Sequence, residues 1–588
     1  MSAQAPHATR AAEAALCFAC PPAPLPARHH RGVNQVPSPA LVTQRAVQRL
    51  PRWALIAFCA AYVLPGVFGR DPWRHNDLGA FGVMVAMAEG RTSWLAPAIG
   101  QLPLEHALLP HWLGAAFIVL LSPLLGPELA ARVPFAMLLA LTLALVWYAM
   151  FHLARTEAAQ PVAFAFGGEA QPADYARAMA DGAVLALIAT LGLLQLGHET
   201  TPELVQLAAI ALVQWALAAA PSRHARPRAA LVLGLPLLAA SGAPSLAVVV
   251  GAVATVICRR SAYEPVRRVV PWAVSSTAAA LVVAALTHTW AWRWRFEPGV
   301  EQLLSLGRLW LWFLWPTSML ALWTIWRWRQ HLLSRHIAVP FAIFGCAFFA
   351  SVAMGGSDRA LLLGLPSLAV LAAFALPTMK RSAAAAIDWF SVFFFTAIAI
   401  AIWVVYASMQ LGVPARPAAN VAKLAVGFVP SFSPPAFAVA TLGTLAWLGL
   451  VRWRTARHRP ALWKSLVIPA GGVALAWLLT MTLLLQVLDF VRSDREWVAR
   501  IARHVPPKAC LAAPGLGRPA AAALEHFGRW RVDARPDAAE ASGCTVLLRR
   551  QRDLERFAPP GADWEPVARV RRPNERSDST LIYRRRAR

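Results

Sequence analysis

The sequence predicts an all-α polytopic membrane protein with a small soluble α/β domain at its C-terminal end. Three observations carry that expectation. Of 588 residues, 58% are hydrophobic and the mean hydropathy is +0.49, with many apolar runs reaching the ~20 residues a helix needs to cross a bilayer. These runs are continuous, so they suit helices and not the alternation of a barrel. The Lys and Arg fall mostly in short loops between the runs and at the two ends of the chain, as cytoplasmic loops do. After Leu488 the apolar runs stop and charged residues take over. The net charge of +26 could point to nucleic acid, but its distribution follows membrane topology, so no nucleic-acid partner is expected.

Taken in order, residues 1–50 are rich in Pro and Ala, lack a signal-peptide pattern, and read as a disordered basic cytoplasmic tail. Cys17 and Cys20 stand alone there, without the second Cys/His pair of a zinc site. Basic clusters at Arg155–Arg177, Arg223–Arg228, Arg259–Arg268, Arg327–Arg335, Lys380–Arg381 and Arg452–Lys464 divide residues 51–488 into spans. The spans fall at 51–69, 128–152, 179–197, 201–220, 229–241, 244–258, 269–289, 309–326, 337–354, 359–378, 387–410, 435–451 and 465–488. That makes about thirteen helices. Parity then requires that 107–124, which holds His111 and several prolines, be re-entrant or interfacial. The N-terminus is expected inside and the C-terminus outside. Trp290, Trp292, Trp294 and Phe296, and again Trp323, Trp326 and Trp328, read as interface anchors. Residues 489–588 have strand-like runs at Cys510–Ala513 and Thr545–Leu548 and a helix-like Pro519–Phe527. Cys510 and Cys544 lie beside those strands, either as a disulfide or as two separately buried thiols.

The first loop after span 51–69, residues 70–106, holds Asp71, Asp77, Glu89 and Glu105 among Arg70, Arg74, Arg91, His75 and His106. Acids are scarce in the chain, and ionisable groups at a membrane boundary are costly unless hydrated or paired, so the loop is the candidate site. Its carboxylates could activate an acceptor hydroxyl or hold a divalent metal, and its Arg and His could hold a phosphate. From chemistry alone the loop supports a membrane enzyme or transporter with an exterior anionic site.

The order of residues carries a resemblance. Asp71-Pro-Trp-Arg-His-Asn-Asp77, an amphipathic stretch through Glu89-Gly90, Ser93-Trp-Leu-Ala-Pro97 and Leu104-Glu-His106 resemble the first exterior loop of family 39-type glycosyltransferases, which have the GT-C membrane fold. That family includes protein O-mannosyltransferases and lipid A aminoarabinose transferases. Gly197-His-Glu-Thr-Thr-Pro-Glu203, Leu233–Pro244 and Ser357–Pro366 resemble three further family segments, so the likeness spans about 50–380. There are departures. The position of the family's usual catalytic aspartate holds Asn76, with Asp77 following, and an amide cannot accept a proton as a base. A histidine that helps bind metal in some relatives has no counterpart, His288 being out of register.

The resemblance implies transfer of a sugar from a polyprenyl-phosphate donor to a lipid, glycan or protein acceptor at the periplasmic face of a bacterial inner membrane, as in lipid A or cell-envelope glycan modification. Asp77 and Glu105 are the expected catalytic acids, while Arg74, His106, His198, Glu203 and Arg359 are expected to bind substrate or phosphate. A divalent metal is left open, with Glu105 as its candidate ligand. Each residue also has a plain structural reading: Asp77 as the N-cap of helix 78–89, Glu203 as a first-turn acid, Arg359 as a snorkelling cation. A flippase for a lipid-linked sugar, or a catalytically inactive relative, is the alternative function. The sequence contains no GxxxxGK[ST] and no strand-linked GxGxxG, so no nucleotide donor is indicated.

Overall fold

The computed structural model describes residues 37–104, 107–287, 290, 295–297, 299–456, 461–553, 561, 563–573, 575 and 579–586. The tail expectation for residues 1–36, Cys17 and Cys20 included, lies outside them, as do the belt residues Trp292 and Trp294. Residues 37–50 differ from the disordered tail expected, forming a short turn of helix at Gln44–Val47 with Ala40, Val42 and Val47 buried. All thirteen expected spans contain helix, yet they differ in kind. Among the described residues, eight helices are long and apolar enough to cross a membrane, or nine if one bent pair counts as a single span. That pair, Val300–Phe313 and Thr317–Arg327, meets at 95°, replacing the single straight span expected at 309–326. Pro316 lies at the break, where a missing N–H and the ring both oppose a continuous helix. Span 359–378 is likewise divided, into Asp358–Leu362 and Leu365–Ala373.

The other difference concerns 107–124. Leu108–Leu125 is one continuous helix of spanning length, so by length and composition it joins the spans it was excluded from. Pro110 does not break it because it sits in the first turn, where no intrahelical N–H is needed, and Pro123 lies inside the helix but only two residues before its end. The aromatic belt is also thinner than expected. Trp328 is buried, donating its indole N–H to the Phe374 carbonyl and packing on His336, while Trp290 and Trp326 are half exposed.

Two minimal strands, β1 (Ala98–Ile99) and β2 (Leu102–Pro103), form a hairpin in the first loop. The C-terminal region builds a mixed sheet from β3 (Cys510–Ala512), β4 (Arg531–Asp533), β5 (Val546–Arg550), β6 (Trp564–Val570) and β7 (Thr580–Arg585). Its order is β4-β3-β5-β7-β6, with β3 parallel to β4 and β5 and the remaining pairs antiparallel. The β3–β4 crossover helix, Arg518–Gly528, lies against the first-loop helix Asn76–Ala88. Close approach there depends on a missing side chain: a Cβ at Gly82 would collide with Ala522 Cβ.

Cys510 and Cys544 form a disulfide, which ties the start of β3 to the approach to β5 over a separation of 34 residues. Cys544→Ser should therefore lower stability by about 3–4 kcal/mol on the loop-entropy scale. Thermal unfolding with and without reductant checks this, since reductant should bring the wild type down to the variant and leave the variant unchanged.

Candidate functional site

The first loop folds by turning its charges inward or onto the C-terminal sheet. Arg70 and Asp77 are both buried and lie 3.2 Å apart, Arg70 Nη2 to Asp77 Oδ2. The same oxygen accepts the Trp73 backbone N–H at 3.1 Å. Oδ1 accepts the Thr200 N–H at 2.8 Å and its hydroxyl at 2.7 Å. Burial raises the Asp77 carboxyl, but Arg70, Arg132 and the two Thr200 bonds outweigh it and hold the group below the ordinary carboxylate range. With both oxygens doubly engaged and no exposure, Asp77 is a clamp between the loop and the 197–201 turn. Asp77 is not the N-cap its plain structural reading expected: the helix begins at Asn76 with His75 as N-cap, and Asp77 lies in the first turn. Two of the loop's other acids, Asp71 and Glu89, are spent on docking. Asp71 pairs with Arg495 at 2.6 Å, and Arg91 links Glu89 to Glu525.

Beside the clamp stands a second cluster. Arg359 Nη2 donates to Glu199 Oε2 at 2.6 Å and Nη1 to Glu203 Oε2 at 3.1 Å. With its amide turned to satisfy both atoms, Asn76 accepts from Arg359 Nε at 2.7 Å. Thus Asn76, at the position where the resemblance expects an aspartate, meets the same cation as two glutamates. Glu199 Oε1 accepts from Gln195 at 3.1 Å, and burial, opposed by Arg359, raises the Glu199 carboxyl above its ordinary value. Gln195 in turn accepts from Arg492 at 2.9 Å.

Gln195 and Arg492 open onto a cavity of about 450 Å³, lined also by Trp73, Arg74, His75 and Glu575. Arg74 is held by the Val491 carbonyl at 2.6 Å and by Glu575 at 3.3 Å. Arg492 stacks over Trp73, and the Trp73 indole donates to Asp489 at 2.8 Å. Burial, partly offset by that indole bond, raises Asp489 to about 6.

Of the expected residues, Asp77, Arg74, Glu203 and Arg359 come together here. His198 lies nearby but its nitrogens face the Leu194 and Tyr62 carbonyls at 2.7 and 2.9 Å, and its ring packs on Trp477. Burial pushes it down to about 4, so the ring is neutral, donates to only one of the two carbonyls and offers no charge to a phosphate. Glu105 and His106 lie outside the described residues. Among the described residues no three His, Cys, Asp or Glu side chains converge as metal ligands, so no step is assigned to a metal. Glu199, Arg492 and Asp489 were missed as site residues. Glu199 sits inside the Gly197–Glu203 motif and so had a signal, while Arg492 and Asp489, past the last span, had none.

Removing a buried partner costs about 3–5 kcal/mol, so Asp77→Asn should lose that much stability at pH 7, read as a lower Tm in detergent. The folded carboxyl lies below its ordinary 3.8, so the contribution is present above that value and disappears as pH falls through the folded one. The gap between wild type and variant should close in acid. An unchanged Tm with lost activity would instead give Asp77 a direct chemical role.

No family model matches this sequence, and no curated protein matches it significantly. Solved structures do. ArnT from Cupriavidus metallidurans, in the apo state and bound to undecaprenyl phosphate, matches with a TM-score of 0.58 at 15% identity, covering 90% of this chain and 97% of that one. An oligosaccharyltransferase of Archaeoglobus fulgidus aligns with a TM-score of 0.47 at 10% identity, over 85% of this chain and 70% of that one. At such identity the likeness is one of fold, and the fold of this chain is the GT-C fold of ArnT.

Proposed function

We propose that this protein transfers a sugar from a polyprenyl-phosphate donor to an acceptor at the membrane surface where the first loop and the C-terminal sheet meet. The observation that carries the reading is the junction of a buried, raised acid with an arginine-lined cavity, Glu199 reaching Arg492 through Gln195. The ArnT fold, seen in one structure with undecaprenyl phosphate bound, supports it. Glu199 takes the proton of the acceptor hydroxyl or amine as that atom bonds to the anomeric carbon. The bond from that carbon to the phosphate oxygen breaks, and polyprenyl phosphate leaves with the electron pair. Arg74 and Arg492 stabilise the leaving phosphate, since planar guanidinium groups bind phosphate oxygens in pairs. Arg359 holds Glu199 in place and Glu203 shares that cation. The bacterial inner membrane, with this surface periplasmic, is the proposed location.

One observation favours a second reading. Asp77 is saturated and the preceding position is Asn76, an arrangement that also fits an inactive relative that still binds the lipid phosphate.

The test is transfer of radiolabelled sugar from polyprenyl-phosphate donors to envelope lipids by protein in nanodiscs. Glu199→Gln should slow transfer by about 100-fold, the scale of a lost general base. Because Glu199 must be ionised to act and lies above its ordinary 4.5, the wild-type rate should rise with pH through a midpoint above that value. An unchanged rate in Glu199→Gln would refute the assignment. Undecaprenyl phosphate binding with no transfer from any donor would establish the inactive reading.

A further inference from the structure

At the other end of the bundle, about 30 Å away along the helix Lys464–Leu483, two cavities meet. The first, of about 810 Å³, is lined by Arg381, Asp388, Arg454, Lys464 and Ser465. Three cations face one acid, so the lining is net positive. Asp388 pairs with Arg454, yet Asp388 Oδ1, Arg454 Nε and Ser465 Oγ are buried without a hydrogen-bond partner among the described residues. Ser465 is only 5% exposed. Buried polar groups without partners are costly, so an orphaned acceptor and two orphaned donors around one cavity point to a missing ligand.

The second cavity, of about 560 Å³, shares Lys464 and Ala461 with the first. It runs as an apolar groove between the helices Arg52–Val63, Pro434–Ala456 and Lys464–Leu483, past Ala57, Gly443, Leu450, Gly471 and Leu478. From Lys464 to Leu478 it extends roughly 21 Å at the helical rise of 1.5 Å per residue. The hydrocarbon core of a bilayer is about 30 Å thick, so the groove takes one leaflet's acyl chain and is too short for a long polyprenyl chain.

We infer that the shared cavity at Lys464 is a binding site for an anionic glycerophospholipid with a glycerol headgroup, its phosphate among Arg381, Arg454, Lys464 and Ser465 and one acyl chain in the adjoining groove. A glycerol headgroup matches both kinds of orphan. Its phosphate oxygens accept from Arg454 Nε and Ser465 Oγ, and its hydroxyls donate to Asp388 Oδ1. The basic loops expected at this end place the site where anionic headgroups gather. This site shares no lining residue with the cavity at Arg74 and Arg492, and its occupant takes no part in transfer.

Native mass spectrometry of delipidated protein titrated with phosphatidylglycerol or phosphatidylcholine tests the site. Phosphatidylglycerol should bind tightly and raise the Tm, while phosphatidylcholine should do neither. Lys464→Gln and Arg381→Gln should each weaken phosphatidylglycerol about fivefold, the scale for one cation at a membrane surface. Lys464→Arg should retain it, which separates lost charge from misfolding. Equal retention of phosphatidylcholine, or unchanged phosphatidylglycerol affinity in both Gln variants, would overturn the inference. Displacement of the lipid by millimolar inorganic phosphate, or tighter variant-sensitive binding of undecaprenyl phosphate, would overturn it too, by assigning the site to a free anion or to the prenyl lipid.

Discussion

The buried ion pair between Arg70 and Asp77 sets the geometry on which the rest of the site depends. Two charges removed from water cost several kcal/mol each unless their remaining hydrogen-bonding capacity is met. Asp77 meets its own through Trp73 and Thr200; Arg70 does so only in part, its Nη2 reaching the His198 carbonyl at 2.8 Å while Nε and Nη1 have no hydrogen-bond partner among the described residues. The pair therefore ties the start of the loop to the turn that carries Glu199 and Thr201. Because Asn76 directly precedes Asp77, fixing one fixes the other, and Asn76 is held against Arg359. The clamp and the candidate acid cluster are thus one construction: the first supplies position, the second supplies exposed or shifted groups.

A second constraint is the docking of the C-terminal sheet. The helix Asn76–Ala88 has polar flanks and a largely buried body, and it is covered by the crossover helix Arg518–Gly528. Around that contact the loop's charges find partners from the sheet region: Asp71 with Arg495, Arg74 with Glu575, Arg91 with Glu525. Partly exposed pairs of this kind contribute little each to stability. Their effect here is orientation, since three pairs spread over one surface define a single way for the sheet to sit. The cavity at Arg74, Arg492 and Glu575 exists only because of that docking, being lined from both sides.

How much of this was readable from the chain follows from what each signal measures. Continuous apolar runs report burial in lipid or protein without distinguishing the two, so every expected span appeared as helix while only some are long enough to cross. Pro316 broke a span because composition averages over the one residue that matters for backbone geometry. Charge in the first loop was correctly read as unusual. Sequence spacing gives no view of that charge's partners, which lie between 424 and 501 residues later, at Arg495, Glu525 and Glu575. The motif Gly197–Glu203 is visible in the sequence, but nothing in the sequence singles out Glu199 within it. Its burial and its contact with Arg359 come from three segments that only the fold brings together.

The substitution at Asn76 has a consequence for the charge of the whole cluster. An aspartate there would face Arg359 as a third carboxylate, leaving one cation among three acids, of which Glu199 alone is buried. Like charges so close force at least one group to protonate. Asn76 keeps the hydrogen bond, because its carbonyl oxygen accepts from Arg359, yet it contributes no charge. Glu199 and Glu203 share the one cation, and burial, with the Asp77 charge adding to it and Arg359 opposing it, raises the Glu199 carboxyl. The neutral amide is therefore compatible with an acid able to exchange protons at this site. It moves that capacity from the loop to the turn at Thr200, which the Asp77 clamp holds in place.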